Sequence, residues 1–275
     1  MKARYVNPFT DFGFKKIFGE EASKPLLIDF LTCIIPEANI VDLTFKPKDK
    51  LGHNTDNRKA VYDIYCENIN GEKIIVELQK AKQRYFKDRT IYYSTFPIQE
   101  QAERGEWHFE LKAVFCIGIL DFIIEEDFQS KNDVIHTAQL KDKYNQIFYN
   151  KLKYVYLQMP NFNNAESELE TRLDKWLYFI KHLEDFETIP EIFKDKIFIQ
   201  AFETAEIANY TLEERDDYEQ SLKYFRDNIN TVNSAFEDGV YKVAKNLLNE
   251  GFAVEFVEKV TGLTKEEIER LKIQN

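Results

Sequence analysis

Apolar and polar positions at the start of the chain recur at helical spacing. Phe14, Ile17 and Phe18 share one face of a short helix that Thr10 can cap and Gly19 can end. Ser23 opens a second helix, with Leu26, Leu27, Phe30, Leu31 and Ile34 inward and a stop before Pro36. From Asn39 to Lys46 the pattern alternates and predicts a strand with Val41, Leu43 and Phe45 inward; Pro47 to Asn57, containing Gly52-His53-Asn54, predicts a polar loop in which the lone His53 has no role. Val61 to Glu67 and Lys73 to Gln79 are rich in β-branched and aromatic residues on either side of Asn70-Gly71, so they predict a β-hairpin. Gln83 to Gly105 reads as a long helix that Pro97 should kink or break. Lys112 to Phe122 is a strand apolar enough to be covered on both faces, and Leu152 to Met159 predicts a further, edge strand after a polar excursion over 123–150. From Ala165 onward the pattern is helical, with stripes at Leu169, Leu173, Trp176, Leu177 and Ile180 and at Phe193, Ile197, Phe198 and Ala201; no coiled-coil heptads or repeats stand out.

The turn length of the hairpin decides its chemistry, because a one-residue slip swaps every side chain to the other face. A two-residue loop would put Asp63 opposite Leu78. A three-residue loop Ile69-Asn70-Gly71, a type I turn closed by a left-handed glycine, pairs Asn68 with Glu72 and Asp63 with Glu77. The second register gathers Tyr62, Ile64, Cys66, Ile74, Val76 and Leu78 on one apolar face and Asp63, Glu77 and Gln79 on the other, and we adopt it. Carboxylates about 4.5–5.5 Å apart repel unless a cation lies between them. Hard divalent cations prefer oxygen ligands, and Mg²⁺ is commonly held by one or two carboxylates with water and substrate phosphate.

Charge changes the picture less than its total suggests. The net charge of -11 disfavours a nucleic-acid partner. Residues 1–110, however, hold 17 Lys+Arg against 17 Asp+Glu, so the deficit lies beyond them. Lys73, Lys80, Lys82, Arg84, Lys87 and Arg89 form a locally basic stretch around the hairpin's end, of the kind that phosphate contacts require. A hydrophobic content of 44% and aromatic content of 15% indicate a globular chain with a sizeable core. No apolar run is long enough to span a membrane and no leader pattern opens the chain, which points to a cytoplasmic protein. Cys33, Cys66 and Cys116 read as reduced core residues.

Asp63, thirteen residues, then Glu77-Leu78-Gln79 resembles the Asp…Glu-x-Lys signature of the PD-(D/E)XK nuclease superfamily, and more closely its recombination-promoting nuclease or transposase family, whose members carry Glu-x-Gln. TDFGFKKIFG at 10–19, VYDIYC, VELQKAKQRYFKDRTIYYS at 76–94 and VFCIGILDF at 114–122 extend the resemblance over about the first 125 residues. It implies a restriction-endonuclease-like α/β core, a mixed central sheet flanked by helices, followed by a helical C-terminal half. It also implies a metal-dependent endonuclease acting on DNA, linked to recombination or mobile elements. Asp63, Glu77 and the backbone carbonyl of Leu78 would hold Mg²⁺ or Mn²⁺, with no other cofactor. Gln79 would stand where the superfamily has its lysine and could only orient through its amide. Asp11 and Lys15, together on the first helix, are accessory candidates, although Asp11 suits a helix N-terminus in its own right. Lys80, Lys82, Arg89 and Tyr93 complete the set; Arg89 and Tyr93 share a helix face, whereas alternation puts Lys80 and Lys82 away from the carboxylates unless the strand bulges after Gln79. The rival is a catalytically degenerate nuclease fold that binds protein or DNA. No strand-transfer domain is visible, and a homodimer would suit the two cuts a duplex needs.

The end of the chain predicts three helices, Tyr241 to Glu250, Ala253 to Val260 with Phe256, Val257 and Val260 inward, and one begun by the capping box Thr264-Lys265-Glu266-Glu267 that buries Ile268 and Leu271. Their pattern resembles the small helix-turn-helix found at the ends of transposase-like proteins. The acids at the start of the last helix, where base edges would be read, favour a packing or protein-contact module. The expected organisation is a core over 1–160, a helical extension over 161–235 and this module over 236–275.

Overall fold

Alternation and helical spacing translate, in the computed structural model, into a mixed six-stranded sheet with flanking helices; the structure describes residues 3–47, 49–50, 60–102, 105, 108–124 and 133–273. Helix α1 (Asp11–Phe18) starts where the Thr10 hydroxyl accepts from the Gly13 N–H at 3.0 Å, and it buries Phe14, Ile17 and Phe18. Helix α2 (Lys24–Ile34) buries the five apolar residues its spacing predicts. Strand β1 is only Leu43–Phe45, because a left-handed Asn39 (φ 43°) ends the preceding turn and the Asp42 side chain accepts from the Leu43 N–H; Val41, expected inward, is 73% exposed. Part of the predicted loop is ordered as a ribbon, β2 (Asp49–Lys50) against β3 (Ala60–Val61), while Gly52-His53-Asn54 lies outside the described residues.

The hairpin of β4 (Ile64–Asn68) and β5 (Lys73–Gln79) has the predicted three-residue loop. Asn68 donates to the Glu72 carbonyl at 3.1 Å, Gly71 is left-handed at φ 79°, and Ile64 faces Val76 as Cys66 faces Ile74. Helix α3 (Phe86–Gln99) is shorter than predicted and ends two residues after Pro97. Strand β6 (Val114–Leu120) runs parallel to β5 with all seven residues buried. The predicted edge strand is instead interior: β7 (Ile135–Lys141) pairs antiparallel with β8 (Ile147–Gln158), giving the order β1-β4-β5-β6-β8-β7. β7 lies inside the polar excursion and buries only His136, too little to register as alternation.

Helices α4 (Arg172–His182) and α5 (Lys196–Ala205) pack against α2. Asp29 of α2 accepts from the Arg172 guanidinium and the Trp176 indole, both at 2.7 Å, and Trp176 packs on Phe18, Phe30 and Phe198. The first compact unit accordingly runs over 1–219 and the second over 220–275. Helix α6 (Leu212–Asn249) is 38 residues long, four times the predicted terminal helix, and Leu222, Phe225, Ile229, Val232 and Phe236 on it do keep heptad spacing. In the second unit, α7 (Val254–Thr261) and α8 (Lys265–Ile273) close on Ala244, Val257, Ile268 and Leu271, with the Thr264–Glu267 capping box formed. Val257 is inward as expected, but Phe256 stacks on Phe252 at the surface and Val260 is 54% exposed. The three cysteines are free, and burial pushes Cys66 up to about 12. Among the described residues no helix is long and apolar enough to cross a membrane.

Candidate functional site

The site is built at a break in the sheet. A continued ladder would pair Tyr62 with Leu78, but β4 begins only at Ile64, after a bend at Asp63. The Leu78 N–H is taken by the Asp63 carboxylate at 2.7 Å, and the Asp63 N–H donates to Glu77 Oε1 at 3.3 Å. Even-numbered residues of β5 aim their backbone groups at β4, as the Asn68–Glu72 bond fixes, so the Leu78 carbonyl faces the gap that the bend opens. The bend also corrects the placement of Tyr62. It leaves the apolar face expected from alternation and packs against Tyr65 and Tyr93, at ring separations of 5.4 and 5.6 Å. Its hydroxyl donates to the Tyr93 carbonyl at 2.9 Å, the acceptor that Pro97, four residues on and lacking an N–H, leaves unused in the helix.

Around Glu77 the side chains of β5 and α3 form a chain of bonds. Gln79, almost fully buried, donates from its amide nitrogen to Glu77 Oε2 at 3.2 Å and accepts from Arg89 at 3.4 Å. Arg89 also reaches Glu77 Oε2 at 3.4 Å, is steadied by Gln83 at 2.8 Å, and lies over the Tyr93 ring at 5.0 Å. Sequence reasoning anticipated Arg89 and Tyr93 on one face but missed Gln83, which lies before the helix. It also missed Gly118, the β6 neighbour of Glu77, where a Cβ would come within 3.0 Å of Tyr156; an isolated glycine in a strand is the signal for such close approach. A cavity of about 20 Å³, lined by Glu77, Gln79, Arg89, Tyr93, Cys116 and Gly118 among others, has room for about one water.

Electrostatics set the two carboxylates apart from surface acids. Burial, then the charge of Asp63, pushes Glu77 well above the usual carboxylate range against the pull of Arg89. Burial raises Asp63 too, opposed by its bond from the Leu78 N–H. Asp11 and Lys15, ion-paired at 2.7 Å on α1, lie within electrostatic reach of Asp63. So does Lys80: burial lowers its proton affinity while Asp11 and Asp63 hold it up. Alternation does not carry past Gln79, where β5 ends, so Lys80 is not kept away as expected. Lys82 is exposed.

A half-buried acid pair on a bent hairpin, beside a glutamine that bridges to a helix-borne arginine, agrees with the comparison of the sequence with family models. Residues 8–235 match the model described as PD-(D/E)XK nuclease family transposase. The chain belongs to this family. Residues 239–273 match a second model, the C-terminal HTH domain of the Rpn/YhgA-like nuclease family, in line with the helix-turn-helix pattern that the sequence of the terminal helices resembles. No curated protein and no solved structure matches the chain. As in the rest of the PD-(D/E)XK family fold, the sheet is mixed and its helices flank it.

The donors fit the divalent cation that nucleases of this superfamily use. They are oxygen only, two carboxylates and a carbonyl at the gap, and both carboxylates carry a raised proton affinity that an added positive charge would relieve.

Proposed function

We propose that this chain hydrolyses phosphodiester bonds of DNA with the help of Mg²⁺ or Mn²⁺, in the recombination or mobile-element setting its family description implies. The observation that carries the reading is the pair of half-buried carboxylates, Asp63 and Glu77, joined through the Asp63 backbone N–H and both raised in proton affinity by desolvation. With the Leu78 carbonyl they would hold the cation, which when bound acidifies water and counters charge on phosphate oxygens. Arg89 would meet a non-bridging oxygen of the scissile phosphate, and the Tyr93 ring beneath it keeps the guanidinium plane in place. Gln79 orients: its two amide ends fix Glu77 and Arg89 relative to each other. It cannot supply the charge of the superfamily lysine, and Arg89 from α3 and Lys80 from the end of β5 supply it from either flank. The helix-turn-helix domain would add contacts to the same DNA.

Nicking of supercoiled plasmid by the full chain in Mg²⁺ or Mn²⁺ tests this. Cutting should stop with chelator and fall at least 10³-fold in both Asp63→Ala and Glu77→Ala. Well-folded wild type that cuts no DNA in any divalent metal would move the assignment to a catalytically silent binding protein.

A further inference from the structure

Beyond Gln139 the strands β7 and β8 leave the regular ladder of the sheet and run on as a two-stranded arm. Register shifts on either side of Leu140 break the pairing, and irregularities of this kind re-aim a strand. The tip is held firmly. The Asp142 N–H donates to the Gln146 carbonyl at 2.9 Å, the Asp142 carboxylate accepts from the Tyr144 and Gln146 N–H groups, both at 2.9 Å, and Asn145 is left-handed at φ 67°. Asn68 closes the turn of the first hairpin in the same way.

This fixed turn presents side chains that the fold does not use. Tyr144 and Phe148 are 72% and 78% exposed, and Leu140 and Ile147 about half. So much bare apolar surface on one hairpin marks a contact site. Residues 139–153 also hold four lysines and one acid, while the rest of 111–275 holds 16 basic residues against 30 acidic ones. Lys151 and Lys153 are engaged, with the Leu111 carbonyl and Glu37. Lys141 and Lys143 are exposed and, among the described residues, make no ion pair; Lys143 lies 4.9 Å from the centre of the Tyr144 ring.

We propose that this arm grips duplex DNA, with Lys141 and Lys143 on phosphates and Phe148 wedged against a base step in the minor groove. Composition selects the occupant. Lysine, asparagine and glutamine beside apolar wedges are the inventory of minor-groove binders, a two-stranded ribbon can enter a groove, and lysine is depleted from protein–protein contacts. A second copy meeting arm to arm would set like charges together. Ile147 lies nine positions before Tyr156, which is level with Gly118 and Glu77, so the arm stands roughly 25–30 Å from the acid pair and acts apart from it. The inference takes DNA as the partner from the reading above and needs no catalysis.

Fluorescence anisotropy of the full chain on a duplex of about three helical turns tests it, in EDTA to prevent cutting, with energy transfer between dyes on the duplex ends reporting a bend. Lys141→Gln/Lys143→Gln should weaken binding roughly 10-fold or more. Phe148→Ser should abolish the bend, and Phe148→Leu, which keeps an apolar wedge, should retain it. All three variants should melt as wild type does, since the positions are exposed. Binding and bending equal to wild type in the Gln and Ser variants would overturn the proposal, as would normal DNA binding with altered sedimentation, which would make the arm a protein contact. Plasmid nicking by wild type is the separate readout: nicking together with arm-independent binding refutes the arm alone, and arm-dependent binding without nicking refutes the nuclease alone.

Discussion

At the scale of single residues, Arg89 is, among the described residues, the cation bonded to Glu77. Arg89→Ala should lower the cleavage rate about 10²–10³-fold, the usual loss for one electrostatic donor to a transition state, while Arg89→Lys should recover part of it, since an ammonium keeps the charge but not the planar fork. Single-turnover rates at saturating DNA measure both; equal rates for Arg89→Ala and wild type would remove Arg89 from the mechanism. Asp63, Glu77 and Gln79 could be read from the sequence because Asn70-Gly71 fixes the turn, the turn fixes the register, and the register fixes which side chains share a face. Tyr62 could not, because its position depends on a bend at Asp63 that no alternating pattern announces. Lys80 was misplaced for a related reason: alternation says nothing beyond the last residue of a strand.

At the scale of elements, one of the bonds that join α3 to the bent hairpin, from the Tyr62 hydroxyl to the Tyr93 carbonyl, has an acceptor that Pro97 leaves free. Tyr62→Phe should therefore cost about 1–2 kcal/mol in denaturant melts, the value of a buried group left without its partner. In a Pro97→Ala background the regained N–H can satisfy the Tyr93 carbonyl and the cost should shrink; an unchanged cost would mean that the hydroxyl matters for another reason. A second joint, between α1 and the start of α6, is an ion pair of Lys16 with Glu214 at 2.6 Å. The bond from Lys16, helped by the Thr211 N–H, holds Glu214 down to about 2, from an ordinary 4.5. A depressed carboxyl stabilises the fold above its unfolded pKa and loses that contribution as pH falls through the folded one. The melting difference between wild type and Glu214→Gln should thus be full above pH 4.5 and vanish near pH 2; a difference independent of pH would show that the pair contributes nothing electrostatic. Elements with strong periodic faces, α1, α2, β6 and the hairpin, were legible in the sequence. β7 was not, since most of it is exposed, and the full length of α6 was not, since poor helix formers occupy its middle.

At the scale of the whole molecule, an acidic chain must still approach a polyanion. The balance of charge over residues 1–110, with the basic stretch from Lys80 to Arg89 at the site's edge, reconciles the two. If three of those cations meet phosphates, affinity should fall with a log–log salt slope of about -2.7, roughly 40-fold between 50 and 200 mM. A flat dependence would argue against DNA at this face. The claim beneath all of this is that the acid pair at the hairpin bend is a cation site, and it can be tested without knowing the DNA substrate. Calorimetric titration of Mn²⁺ into the full chain should show saturable binding that is lost in Asp63→Ala and in Glu77→Ala, with circular dichroism of both variants unchanged. Folded wild type that takes up no Mn²⁺ at millimolar concentration, or variants that bind it as wild type does, would contradict the account.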